Sequence, residues 1–188
     1  MRKLLKSKIN LAINSFSKLG ENDLISDILT STNIIVKALK SKKKIIFCGN
    51  GGSAADSQHL SAELVGKFKK KRKALNSISL TTDTSAITSI GNDMGFDKVF
   101  SRQLEAIGEK GDVLFALTTS GKSANILNAL KVSKKKKIKI ILLSSKLAKK
   151  TKLCDVNLRP NANRVDRIQE LHIAIGHLIC EMLEKELT

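Results

Sequence analysis

The hydrophobic period of this chain changes once, and that change restricts the fold more than any other feature. Up to residue 40 the apolar residues recur at helical spacing. Residues 3–19 carry Leu4, Leu5, Ile9, Leu11, Ile13 and Phe16, and residues 22–40 carry Leu24, Ile25, Ile28, Leu29, Ile35, Val36 and Leu39 on one broad face. Beyond residue 40 short apolar runs take over: Ile45–Cys48, Ile78–Leu80, Val113–Leu117, Ile138–Leu143 and Val156–Leu158, separated by segments long enough for a helix. Strands alternating with helices require crossover connections, so the sheet is expected to be mainly parallel and covered on both faces. A last helix over about 164–187 places Ile168, Leu171, Ile175, Leu178, Ile179, Met182 and Leu183 on its apolar side. The single proline, Pro160, follows the last run, where it ends strand pairing without breaking a helix. The expected fold class is α/β, a three-layer sandwich around a five-stranded, mainly parallel sheet with extra helices at both termini. A chain of 188 residues suits one hydrophobic core. It therefore reads as a single domain over 1–188, with N-terminal helices in 1–40, the sheet core in 41–160 and the C-terminal helix in 161–188.

Charge raises the question of a polyanionic partner. The chain holds 34 Lys plus Arg against 17 Asp plus Glu, a formal charge of +17, but 28 of the 34 are Lys. Specific nucleic-acid readers lean on Arg for bidentate contacts and on aromatic rings for base stacking; six Arg and six Phe, with no Tyr or Trp, supply little of either. The Lys runs (42–44, 69–73 with Arg72 inside, 134–137, and 149, 150 and 152) are spread along the chain rather than gathered in one arm. They read as a solvated surface, which argues against nucleic acid as the partner. Cys48, Cys154 and Cys180 are odd in number and far apart, with no C-x-x-C pair, so neither a disulfide framework nor a thiolate metal site is expected and a reducing cytoplasm fits best. No stretch approaches the apolar length of a membrane span, and the N-terminal apolar residues are interleaved with Lys6, Lys8, Asn10 and Asn14, unlike a signal peptide.

In an open parallel sheet, chemistry collects at the carboxyl ends of the strands. Those ends read Gly49-Asn50-Gly51-Gly52-Ser53, then Thr81-Thr82-Asp83, then Thr118-Thr119-Ser120-Gly121-Lys122-Ser123. The first and third are rich in Gly and Ser/Thr and each opens a helix, the first at Ala54. Such loops offer backbone N–H groups, hydroxyls and a helix N-terminus to an anion. Each alone could equally be a turn with a Ser or Thr N-cap; two in one sheet favour a phosphorylated ligand. Two resemblances to nucleotide loops fail. Gly49-x-Gly51-x-x-Ala54 lacks the acidic residue expected at the end of the next strand, and Gly121-Lys122-Ser123 has Ala116 where a P-loop needs its first glycine.

There are three histidines to consider for acid/base work. His59 lies four residues before Glu63, so the two side chains share a helix face. Gln169 and His177 fall about 80° apart around the last helix, and His172 about 140° from His177, which sets it aside as structural. A lone helical His is more often structural. His59 with Glu63 behind a phosphate-type loop, and a second His on a distant helix, reads instead as an acid/base or zinc-type group, although Gln is an uncommon ligand.

Six blocks in order, Gly49-Asn-Gly-Gly-Ser-Ala-Ala-Asp56-Ser-Gln-His59, Leu80-Thr-Thr-Asp-Thr-Ser85, Gly91-Asn-Asp-Met-Gly-Phe96, Gly111-Asp-Val-Leu114, Thr119-Ser-Gly-Lys-Ser-Ala-Asn125, and Arg167-Ile-Gln-Glu-Leu-His172 with Ile175-Gly-His177, resemble the sugar-isomerase (SIS) domain family over essentially the whole chain. The resemblance implies a SIS-type, flavodoxin-like fold and, in the branch it is most similar to, interconversion of sedoheptulose 7-phosphate and D-glycero-D-manno-heptose 7-phosphate through an enediol. That reaction is the first step toward the heptose of bacterial lipopolysaccharide core and some surface glycans. By resemblance, Asn50, Gly51, Gly52 and Ser53 match the first sugar-phosphate loop, Asn92 and Asp93 a substrate-contacting pair, and Thr118, Thr119, Ser120 and Ser123 the phosphate loop. His59, Glu63, Gln169 and His177 match the positions that bind one Zn²⁺ per subunit, with Glu63 and Gln169 also at the substrate and Glu63 and His177 as the catalytic pair. The members are cytoplasmic homotetramers whose active sites draw on neighbouring subunits.

Three positions depart from the family pattern. Lys67 stands where many members have Arg, Thr118 replaces the more usual Ser, and Ser144–Ala148 lacks the usual glycines, a change expected to lie away from the proton-transfer pair. Two readings of another class compete: a non-catalytic SIS-domain regulator that binds the replication initiator protein, and a sugar-phosphate sensor. Neither needs Glu63 and His177.

Overall fold

The apolar run Ile45–Cys48 forms β1, buried along its whole length. It pairs in parallel with Ser77–Ser79 (β2) on one side and Val113–Leu117 (β3) on the other. Lys139–Leu143 (β4) extends the sheet from β3, and Val156–Leu158 (β5) from β4, both parallel. A computed structural model describes residues 1–188, and in it the strand order is β2-β1-β3-β4-β5. The expected five-stranded sheet is present and is parallel throughout.

Seven helices surround it: α1 Arg2–Ser17, α2 Asn22–Lys40, α3 Gly52–Val65, α4 Thr84–Met94, α5 Val99–Ile107, α6 Ala124–Lys135 and α7 Val165–Leu187. Alternating side chains along each strand feed two cores. Ile45, Phe47, Phe115 and Leu143 meet α2, α3 and α7, with the Phe47 and Phe115 rings 5.3 Å apart. Ile46, Leu114, Ala116 and Leu142 meet α5 and α6. The result is the three-layer sandwich expected from the pattern.

Three expectations shift at their ends. β2 is Ser77–Ser79 rather than Ile78–Leu80, because it is an edge strand placed by its ladder to β1, with Ile78 40% exposed and Leu80 buried just past the paired residues. Ile138 precedes β4 because its N–H closes onto Ser133, after a turn in which Lys137 takes φ 59°. The helix expected over 3–19 ends at Ser17 and tightens into a 3₁₀ turn at Lys18–Gly20. No residue of α1 is buried, so its apolar side faces out.

β1 connects to one side of the sheet and β3 continues on the other, which makes the carboxyl ends of β1 and β3 the point where the winding reverses. A crevice opens at such a point.

Candidate active site

Both glycine-bearing loops lie at that crevice. After β1, a Cβ on Gly49 would come within 2.4 Å of the Ser53 carbonyl oxygen, and Gly51 takes φ +56°, so neither position accepts a side chain without strain. The turn is tight enough that α3 begins at Gly52, two residues before the expected Ala54. After β3, Gly121 has φ +66° and faces Ala148, whose Cβ would be 2.8 Å from an added one.

The alternative reading of these loops as turns with side-chain N-caps fails on the hydrogen bonds. Neither α3 nor α6 has a side-chain cap, whereas Asp83 caps α4 through the Ala86 N–H at 2.9 Å. The Thr118 and Ser120 hydroxyls instead accept from the N–H groups of Gly121 and Lys122 within their own loop, both at 3.2 Å. Two uncapped helix N-termini therefore flank the crevice, a favourable setting for an anion.

The loops are tied to each other by Asn50 and by Asn125, a residue that sequence reasoning gave no role. The Asn50 amide donates to Asn125 Oδ1 at 2.9 Å, and the Asn125 amide donates back to Asn50 Oδ1 at 2.8 Å. Asn125 is buried on the first turn of α6, so this reciprocal pair fixes the spacing of the loops. Ser145 donates to the Thr119 carbonyl at 2.9 Å. The Ser144–Ala148 segment thus buttresses the phosphate-type loop from beneath, a closer involvement with the ligand-binding edge than its sequence suggested.

The acid/base candidates lie farther along the helices. Seven residues separate Gly52 from His59, which places the imidazole about 10 Å down α3 from the loop. α7 runs alongside and packs closely because Gly176 has no side chain: a Cβ there would be 2.5 Å from Leu60 Cδ2. This close approach brings His177 to α3. His59 Nε2 is 2.8 Å from His177 Nε2 and 3.4 Å from Glu63 Oε1, and one ligand atom from each of the three residues falls within 4.8 Å of the others. Partial burial, then the neighbouring His59, lowers the His177 pKa against the opposing pull of the Glu63 carboxylate.

Two imidazole nitrogens at 2.8 Å cannot both present lone pairs, so the contact calls for a proton or a cation between them. Two His and a carboxylate converging in this way suit a zinc-type ion. Gln169, two turns before His177 on α7, lies over the loop instead: its Nε2 would be 2.5 Å from a Cβ on Gly52. The whole terminal amide lies at the loop, and no hydrogen bond joins it to His59, Glu63 or His177. Asn92 and Asp93, in the last turn of α4, are exposed and hydrogen-bonded to each other at 2.8 Å, and no hydrogen bond joins them to either loop or to the cluster. Asp56, on α3 one turn before His59, is half-buried with Oδ2 unpartnered, and burial raises its pKa against the pull of His59.

The SIS domain family matches residues 12–145. A phosphoheptose isomerase of a Nitratiruptor species is 49% identical over 172 residues, 91% of each chain. One from Helicobacter hepaticus is 46% identical over 187 residues, 99% of this chain and 94% of the relative. Among solved structures, the phosphoheptose isomerase GmhA of Neisseria gonorrhoeae superposes with a TM-score of 0.88 at 36% identity, with 98% of both chains covered.

Proposed function

The chain belongs to the phosphoheptose isomerase family of SIS-domain proteins, and on that footing we propose that it interconverts D-sedoheptulose 7-phosphate and D-glycero-D-manno-heptose 7-phosphate through an enediol, the first step of heptose synthesis for lipopolysaccharide core or a surface glycan. The observation that carries this reading is the junction of His59, Glu63 and His177 along the α3–α7 seam, about two helical turns from the loops. A heptose 7-phosphate has its phosphate and its carbonyl at opposite ends of the carbon chain. The two uncapped helix termini, with Ser53, Thr118, Thr119, Ser120 and Ser123, receive the phosphate, and the seam receives C1 and C2. Asn50, Gly51, Gly52 and Gln169 line the path between them, and Asn92 and Asp93 approach the sugar from α4.

In the ketose-to-aldose direction Glu63 takes the proton from C1 while His177 protonates the oxygen on C2, giving the enediol. His177 then takes the proton from the oxygen on C1, and Glu63 returns its proton to C2. The lowered pKa of His177 favours the neutral imidazole, the form that takes the proton from the oxygen on C1. His59, Glu63 and His177 would hold a zinc ion, with Gln169 the fourth ligand by family resemblance alone, and the ion when bound would polarise the sugar oxygens and stabilise the enediolate charge. A carboxylate held tightly by a cation is a weaker base, so the two roles of Glu63 oppose each other. The contact between Glu63, His59 and His177 also favours the enzyme over a regulator or sensor, neither of which needs that group.

Self-association into a tetramer is supported by the uncovered apolar side of α1, where Leu4, Leu5, Ile9, Ile13 and Phe16 are all exposed. Three unpaired cysteines fit a cytoplasmic location, and no helix is long and apolar enough to cross a membrane. The direct test is incubation of the purified protein with sedoheptulose 7-phosphate, following the aldose phosphate. Parent turnover, and a loss of roughly 100-fold or more in Glu63→Gln, is expected. An inactive parent, or an undiminished Glu63→Gln, would overturn the assignment.

A further inference from the structure

Between α3 and β2 the chain makes a long connection, residues 66–76, and its course is dictated from α7. Glu184, buried on α7, accepts the backbone N–H groups of Phe68 at 3.0 Å and of Lys69 and Lys70 at 2.9 Å, and the Arg72 Nε–H at 3.1 Å. Arg72 donates its remaining N–H groups to the carbonyls of Glu63 at 2.7 Å, Leu64 at 2.8 Å, Lys73 at 3.1 Å and Gly66 at 3.3 Å. Both side chains are 3% exposed. One buried ion pair therefore clamps α7, the connection and the last turn of α3, including the carbonyl of Glu63 itself. It is far more extensively bonded than a surface salt bridge, and each partner's other polar groups are satisfied.

This clamp sets the ring of Phe68 against the imidazole of His177, with centroids 5.3 Å apart and planes 27° from parallel. The His59 ring stands 5.0 Å from the same imidazole at 60°. Lys69 Nζ is 5.5 Å from the Phe68 ring centroid and is held there by Glu181 at 2.8 Å. The terminal torsion of a histidine is soft, so its ring direction is set by what packs on it.

We infer that Phe68 is a positioning residue for His177, fixed by the Arg72–Glu184 clamp, and that it holds the imidazole in the plane that directs Nε2 at His59 and the sugar oxygens. The inference rests on the proposed role of His177 for its effect on turnover, but the placement of the ring stands on geometry alone. Removing Glu184 or Arg72 endangers the fold, so the test uses Phe68→Ala and Phe68→Tyr. With sedoheptulose 7-phosphate as substrate, Phe68→Ala is expected to lose roughly 10–100-fold in kcat with KM little changed, because the phosphate loops lie on other elements. Phe68→Tyr, which keeps the ring, restores kcat. Independently of turnover, the His177 ring signals in NMR, identified by their disappearance in His177→Ala, move downfield in Phe68→Ala as the ring current is lost.

Parental kcat in Phe68→Ala overturns the inference, as does a loss that Phe68→Tyr fails to restore. An inactive parent protein would strike at the isomerase reading instead, and the NMR signals would then decide the placement: unmoved signals overturn it and shifted signals support it.

Discussion

His172 shows what burial does to a histidine that has no part in the chemistry. It is fully buried on α7, its Nε2–H donates to the Ser144 carbonyl at 2.6 Å, and its Nδ1 has no partner. Desolvation, only partly opposed by the Ser144 bond, pushes its pKa from 6.5 down to about 4. Between those values the unfolded chain binds a proton that the folded chain refuses. The stability contributed by the neutral ring is complete above pH 6.5 and is lost as the pH falls toward 4, on the order of 3 kcal/mol in all. Urea unfolding at about pH 7 and about pH 4.5 should show a smaller acid loss in His172→Gln than in the parent; equal losses would refute the assignment. The separation of His172 from His177 was legible in the sequence because helical angles are fixed by the backbone. Phe68, Arg72, Glu184 and Asn125 were not legible. Each works through a partner at least 75 residues away or through docking of one helix on another, and Glu184 looks in sequence like any charge on a solvated face.

At the scale of elements, the α3–α7 seam depends on a glycine and an ion pair. Gly176 sets the distance between the helices and the Arg72–Glu184 pair sets the connection that follows α3. Burial pushes the Glu184 carboxyl up, but the N–H donors of Lys69, Lys70 and Phe68, with Arg72 behind them, outweigh it and hold it below the usual range. Glu184→Ala leaves the Arg72 guanidinium buried without its counter-charge. A loss of about 3–5 kcal/mol is expected in chemical denaturation, against well under 1 kcal/mol for removal of the exposed Glu105 from its pair with Arg102. Comparable small losses would show that the clamp is not structural. β1, β3 and β5 match their apolar runs residue for residue, β1 and β3 being buried at every position. β2 and β4 moved by one residue because hydrogen-bond registry, not hydrophobicity, sets their ends.

The whole molecule carries one face that the single chain leaves unfinished. α1 buries none of its residues, and Leu5, Ile9, Ile13 and Phe16 border a shallow surface groove with Arg167. If copies of the chain cover this face, light scattering should give about four times 20.5 kDa for the parent and a smaller mass for the double variant Ile9→Lys, Ile13→Lys, with turnover falling alongside. An unchanged mass would place the interface elsewhere.

A parallel sheet also sorts its loops. Those that follow strands form the site; those that precede strands lie at the opposite edge, and most of the lysine runs fall there. Lys42–Lys44 precede β1, Lys110 precedes β3, Lys134–Lys137 precede β4, and Lys152 precedes β5. Lys110, Lys134, Lys137, Lys139 and Lys152 border one cleft there. Strand direction thus separates the edge that carries the candidate site from the edge that carries most of the lysine runs. Replacing lysines along the second edge should change the net charge of the protein with little consequence for turnover.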